Sequence, residues 1–239
     1  MIILPAIDIK NGRCVRLYQG DYSRVTTYDS DPVQVALRWQ EAGASWLHVV
    51  DLDGAAQGMP VHVDLLKAMR AATKLCIEVG GGLRSLVHIE QILDLGIERV
   101  ILGTAALRDR TLLGEALSRW GERIAVGLDA RDGLIAVAGW HETSHVMATT
   151  LAAELCAFGV PRFIYTDIAR DGALSGPNLN ALAEVRRATW RPLIASGGVS
   201  ALADLHALAA LNVEGVIIGR AIYTGDVDLA AAIREFERL

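Results

Sequence analysis

The sequence repeats itself. Displaced by 116 residues, segment 77–106 lies over 193–222 without a gap, with nine identities in thirty positions. Gly81 and Gly82 fall on Gly197 and Gly198, Gly103 on Gly219, and Val100-Ile101 on Val216-Ile217. The same offset puts Gly43 on Gly159 and Asp51 on Asp167. Two unrelated amphipathic segments share apolar positions by chance, but hardly paired glycines in register. The simplest reading of such a repeat is one unit used twice. It divides the 239 residues into halves of about 1–120 and 121–239.

The unit is an alternation of strand and helix. Short β-branched runs occur near 2–8, 46–51, 75–79, 99–103, 123–129, 162–167, 192–196 and 215–218. Each precedes a helical pattern, near 32–43, 61–72, 85–95, 109–120, 145–158, 178–188, 200–211 and 226–238. Asp31-Pro32 is an N-cap followed by proline at the first helical position, and Ser85, Ser200 and Asp226 are further cap candidates. The strands are nearly all apolar, as parallel strands buried on both faces must be. Eight such units without a Ser/Gly-rich linker predict an α/β fold, a (β/α)8 TIM barrel built from two duplicated half-barrels and spanning 1–239 as a single domain. An open, doubly wound sheet is the structural alternative. In the barrel, strand 1 lies opposite strand 5, and strands 3–4 opposite strands 7–8.

Composition narrows the function. Apolar residues make up 52%, so a packed core is affordable. The net charge of −5 argues against nucleic acid as a partner. No uncharged apolar run reaches the ~18 residues of a membrane span. The N-terminal run Met-Ile-Ile-Leu-Pro-Ala-Ile-Asp has no basic leader and reads as a strand, not a signal peptide. Cys14, Cys76 and Cys156 are far apart and odd in number, which fits reduced thiols and a cytoplasmic location. His141 and His145 have helical spacing, but no carboxylate or Cys completes a ligand set, so no metal or other cofactor is expected.

The registered glycines have a chemical reading. Gly80-Gly81-Gly82 ends strand 3, Gly103-Thr104 strand 4, Gly197-Gly198 strand 7 and Gly219-Arg220 strand 8. Glycine at a strand end lets backbone N–H groups approach an anion. The loops after strands 7 and 8 of such barrels are a frequent phosphate site. The same pattern across the barrel implies a small-molecule substrate with a phosphate at each end. Arg84 and Arg220 would supply charge, or serve as surface ion-pair partners. The plain alternative is that the glycines make tight turns.

Two carboxylates end opposed strands. Asp8 shares its strand face with Leu4 and Ala6, and Asp129 with Ala125 and Gly127. If that face is the barrel interior, the two acids face each other between the cradles. That placement suits proton transfer at the middle of a long substrate; the alternative for each is an N-cap or loop-fixing role. Thr166 ends strand 6 and is placed to hydrogen-bond a reacting carboxylate or a substrate hydroxyl. The loop 169–178, with Gly172, Gly176 and Pro177, is a binding loop or a helix lead-in. His48 and Asp51 on strand 2 are placed to tune Asp8, although a strand His is commonly a satisfied core residue. Asp53-Gly54 reads as a turn. Segment 18–30, with Gly20, is long for a βα loop and suits a lid. Trp140, in a second long connection, either stacks on a heterocycle or covers apolar surface.

Several stretches together resemble a known family: Leu4-Pro5-Ala6-Ile7-Asp8-Ile9-Lys10-Asn11-Gly12, Val15-Arg16-Leu17-Tyr18-Gln19-Gly20-Asp21, Leu47 through Ala55, Gly80-Gly81-Gly82-Leu83-Arg84, and Thr166-Asp167-Ile168 through Asp171-Gly172 to Gly176-Pro177-Asn178. The chain is similar over its whole length to the phosphoribosylformimino-5-aminoimidazole carboxamide ribotide isomerases of histidine biosynthesis. That resemblance implies an Amadori rearrangement of an aminoaldose to an aminoketose, without cofactor or metal. It implies Asp8 as general base, Asp129 as general acid and Thr166 as their support; a monomer is the expected state. Three relatives in activity stay open: a bifunctional enzyme that also isomerises phosphoribosylanthranilate, the ammonia-using cyclase, and a barrel that binds a bisphosphate without turnover. The cyclase carries Cys before Leu-Asp on strand 1, where this chain has Ala6-Ile7-Asp8. Tyr18 and Asp21 favour the single-substrate enzyme over the bifunctional one.

Overall fold

A computed structural model describes residues 1–137, 139–140 and 142–237. Its strands are β1 (Ile2–Lys10), β2 (Arg13–Tyr18), β3 (Asp21–Asp29), β4 (Trp46–Asp51), β5 (Cys76–Gly80), β6 (Arg99–Leu102), β7 (Ile124–Arg131), β8 (Leu134–Val137), β9 (Glu142–Met147), β10 (Phe163–Asp167), β11 (Leu193–Ser196) and β12 (Gly215–Ile218). The helices are α1 (Pro32–Glu41), α2 (Leu52–Gln57), α3 (Val63–Ala72), α4 (Leu86–Leu93), α5 (Thr104–Arg108), α6 (Arg110–Trp120), α7 (Ala148–Phe158), α8 (Leu179–Ala188), α9 (Leu202–Ala210), α10 (Arg220–Thr224) and α11 (Leu229–Phe236).

Eight strands form a closed parallel barrel in the order β1, β4, β5, β6, β7, β10, β11, β12, with β12 back on β1. The pairing of β10 with β7 closes the sheet on itself and excludes the open sheet, while β6–β7 and β12–β1 join the first 120 residues to the rest. The barrel has two apolar layers because side chains alternate along each strand. Ile3, Ile7 and Ile9 of β1 point outward into the large core shared with the helices. Leu4 and Ala6 point inward, where they meet Ala125, Ile164, Ile194 and Ile217. Phe163 and Tyr165 are the largest fully buried side chains; truncating Phe163 to Ala costs about 3–5 kcal/mol at such a site.

Helix starts largely follow the sequence signals. Asp31 accepts from the N–H groups of Val33 (2.9 Å) and Gln34 (3.2 Å), and Ser85 from His88 N–H (3.2 Å). Two caps differ. At α9 the Asp204 carboxylate reaches back to Ser200 N–H (2.8 Å), so Ser200 donates instead of capping. At α11 the cap is Asp228, which accepts from Ala231 N–H (3.0 Å), not Asp226. Asp53-Gly54 lies in α2, whose cap is Asp51. The expected residue 238 of the last helix lies outside the described residues.

The larger difference is two antiparallel hairpins at the mouth. β2 pairs with β1 and β3, so segment 18–30 is mostly an ordered strand and not an irregular lid. After β7, β8 and β9 form the matching excursion. His145 is on β9 and exposed, so it has no helical partner; His141 lies outside the described residues. No helix among the described residues is long and apolar enough to cross a membrane.

Repeat-related positions share their geometry. Glu98 N–H donates to Ile77 O (3.1 Å), and, 116 residues on, Glu214 N–H donates to Leu193 O (2.8 Å). Asp51 accepts from Gly54 N–H (2.8 Å) as Asp167 does from Arg170 N–H (3.3 Å).

Candidate active site

Asp8 and Asp129 both line one cavity at the C-terminal mouth of the barrel, with Thr166 and His48. The register explains the placement. Asp8 follows the inward residues Leu4 and Ala6, and Thr166 lies directly opposite Asp129 across the β7–β10 pair. Small inward residues below them, Ala6 and Gly127, keep the space over the core open.

The two acids have different partners. Arg16, on β2 and only 7% exposed, donates from Nη1 to Asp8 Oδ1 at 2.9 Å. Trp140 Nε1–H donates to Asp129 Oδ2 at 2.8 Å, and the Thr166 hydroxyl also bonds that carboxylate. Burial pushes both carboxyls above the usual carboxylate range. Arg16, and more weakly His48, pull Asp8 back; Trp140, Thr166 and His48 pull Asp129 back. One carboxyl thus faces a fixed cation and the other neutral donors, an environment suited to splitting base and acid roles.

Among the cavity residues not singled out from the sequence as site residues, two are charged. Arg16 is one; Asp171 is the other, with Oδ1 3.8 Å from Arg16 Nη2. Burial pushes Asp171 up to about 6, and the nearby Asp8 and Asp129 add to the shift against the pull of Arg16. An arginine among apolar strand residues was the available signal for Arg16. Asp171 gave none, since its loop turns inward only in the folded chain. Gln19 N–H donates to Asp171 O (3.0 Å), which ties that loop to the β2–β3 turn.

The glycines lie at two ends. Gly81, Gly82, Arg84, Gly103 and Thr104 line one side of the cavity with the acids. Gly172, Gly197, Gly198, Gly219 and Arg220 line an adjoining recess that shares Arg16, Asp171 and Ser196 with it. Gly81 and Gly197 have φ of 109° and 93°, and a Cβ on either would run into the carbonyl oxygen of Asp51 or Asp167, the repeat-related pair. Gly82 and Gly198 are equally constrained, against the carbonyl oxygens of Gly54 and Gly176. Arg220 Nη1 donates to Gly172 O (2.8 Å) and Arg84 Nη2 to Ala55 O (3.1 Å).

Two expected residues, Asp51 and Gly176, lie off the cavity. The Asp51 carboxylate accepts from the N–H groups of Gly54, Val61 and His62. Gly176 braces Gly198 from behind, its N–H donating to Gly198 O (3.0 Å). Gly20 is on the cavity, and it has no side chain where the Trp140 ring packs. The two hairpins therefore meet over the mouth at Gly20 and Trp140.

Comparison with known proteins gives one answer. Residues 2–228 match the family described as histidine biosynthesis protein. A protein of Gloeobacter violaceus named 1-(5-phosphoribosyl)-5-((5-phosphoribosylamino)methylideneamino) imidazole-4-carboxamide isomerase is 56% identical, over 98% of this chain and 93% of its own. Isomerases of the same name from Chloroflexus aggregans and a Picosynechococcus are each 53% identical, over 98% of this chain and 97% and 93% of theirs. By sequence over nearly its whole length, the chain belongs to the histidine biosynthesis protein family.

Proposed function

We propose that the chain is the isomerase its relatives are named for, an intramolecular aldose–ketose isomerase acting on a substrate with two phosphoribosyl groups. The observation that carries this reading is a cavity and its adjoining recess, with two partly buried carboxylates between two glycine-lined ends. Asp129 protonates the ring oxygen of the aminoaldose, the C1′–O bond breaks and a Schiff base forms. Asp8 then removes the proton from C2′, and the electron pair of that bond gives an enolamine. Tautomerisation of the enolamine yields the aminoketose. No atoms are gained or lost, so the reaction needs no redox partner.

Gly81, Gly82, Arg84, Gly103 and Thr104 hold one phosphate; Gly172, Gly197, Gly198, Gly219 and Arg220 hold the other. Thr166 and Trp140 keep Asp129 oriented and ionisable. Every group in this scheme comes from one chain, so it works as a monomer. Three unpaired thiols suit a reducing cytoplasm.

The test is to assay the purified chain with the aminoaldose, in parallel with phosphoribosylanthranilate and with ammonia plus the aminoketose. Turnover of the aminoaldose alone is expected. No turnover, with the ligand still bound, leaves a binding barrel; product in the other arms makes the enzyme bifunctional or a cyclase.

A further inference from the structure

The halves of the barrel differ in chemistry where their strands correspond. On β4, β5 and β6 the inward residues His48, Glu78 and Arg99 are paired in register. The residues 116 positions on are Ile164, Ile194 and Gly215. Ile164 and Ile194 belong to the apolar cluster inside the barrel, and Leu4 fills the space beside Gly215. One half thus closes this level with hydrocarbon. The other half holds an ionic chain. His48 Nδ1 is 2.7 Å from Glu78 Oε1, and Arg99 Nη1 is 2.8 Å from Glu78 Oε2. Arg99 also lies over the Trp46 ring, 4.2 Å from its centroid. Glu78 is 0% exposed. Burying such groups carries a desolvation cost that hydrocarbon avoids, so stability alone does not account for the chain.

Its far end does account for it. Arg99 donates to one oxygen of Glu78, which leaves that carboxylate an acceptor for His48. A hydrogen on His48 Nδ1 satisfies that acceptor and leaves the Nε2 edge for the cavity that the ring lines. His48 pairs with Ala6, two residues deeper than Asp8 on the adjoining strand, which puts the ring at the cavity floor.

We propose that Glu78 and Arg99 are positioning residues that hold His48 with Nε2 presented to the floor of the cavity, where it hydrogen-bonds a sugar hydroxyl beside the reacting carbons. The role of the hydroxyl rests on the isomerase reading; the orientation of the ring does not. A partner behind a functional imidazole fixes its tautomer and its direction, as carboxylates do behind metal-bound histidines.

The test has two parts. In wild-type protein, 15N spectra of labelled histidine report the His48 tautomer directly. A protonated Nδ1 is expected, with Nε2 alone moving when the ketose product is added. A bare Nδ1, or an Nε2 signal indifferent to product, overturns the proposal whether or not any variant folds. In Glu78→Gln, kcat should fall about ten- to a hundredfold while KM changes little, because the phosphates are gripped elsewhere. Arg99→Met should do the same more weakly. A purely structural ionic chain would instead lower Tm and leave kcat within about twofold of wild type, and that result refutes the proposal. If wild-type protein fails to turn over the aminoaldose, the isomerase reading fails, while the tautomer measurement still decides the relay.

Discussion

Arg16 Nη1 donates to Asp8 Oδ1 at 2.9 Å, across a strand pair that seats Val15 opposite Asp8. The bond opposes the burial that raises the Asp8 carboxyl. Arg16→Met removes the stronger opposition to burial, so the Asp8 pKa rises further and less of the ionised base is present at neutral pH. The acid limb of the kcat/KM profile should move to higher pH, with a loss of about tenfold or more at pH 7. Rates measured from pH 5 to 9 check this; an unmoved limb would separate Asp8 from the base role.

Asp8→Asn and Asp129→Asn should each lower kcat by about 10²–10⁴, the usual worth of a positioned acid or base. Both variants should still show a product-induced thermal shift, since the phosphate cradles are untouched. A variant with near-normal turnover removes the role assigned to its residue.

Asp171 is pushed up to about 6 in the folded protein, against an ordinary value of 3.8. A carboxyl raised on folding costs stability where it is ionised, above about pH 6. The cost is relieved as the pH falls through about 6, and is gone below the unfolded value. Asp171→Asn should therefore raise Tm at pH 8 and give little gain at pH 4. Thermal melts at the two pH values decide it; an equal shift at both would place the effect elsewhere.

Gly81→Ala and Gly198→Ala each put a Cβ against a backbone carbonyl at a left-handed φ. Each should cost about 1–3 kcal/mol of stability and raise KM by weakening one end of the ligand. Unchanged KM and kcat/KM in both folded variants would count heavily against two phosphate cradles.

The barrel was legible because of how its strands are buried. Runs such as Phe163-Ile164-Tyr165 are covered on both faces, so they read as continuous apolar segments that no loop imitates. The hairpins were not legible for the opposite reason. Most of β3 is exposed, and its sequence Asp-Tyr-Ser-Arg-Val-Thr-Thr-Tyr-Asp has no buried stripe to mark it. Asp8 and Asp129 could be found from strand-end position and the repeat. Arg16 was missed because its one signal, an arginine in an apolar run, reads as such only once β2 is recognised as a strand. Asp171 reaches the cavity through its own turn onto Asp167 and Ile168 and through contacts of its loop with the β2–β3 turn, and such contacts have no sequence period.

Gly81 rests on Asp51 and Gly197 on Asp167, so each rim of the pocket is braced from within its own half of the chain. The second rim also leans across: Gln19 N–H holds Asp171 O, and Gly172 and Gly219 abut Leu17 and Arg16 of the first half. Renovation of this pocket is therefore one-sided: a shorter or singly charged guest is best met by new side chains on the Gly81 flank, while the opposite anchor, held by both halves, and the acids stay as they are.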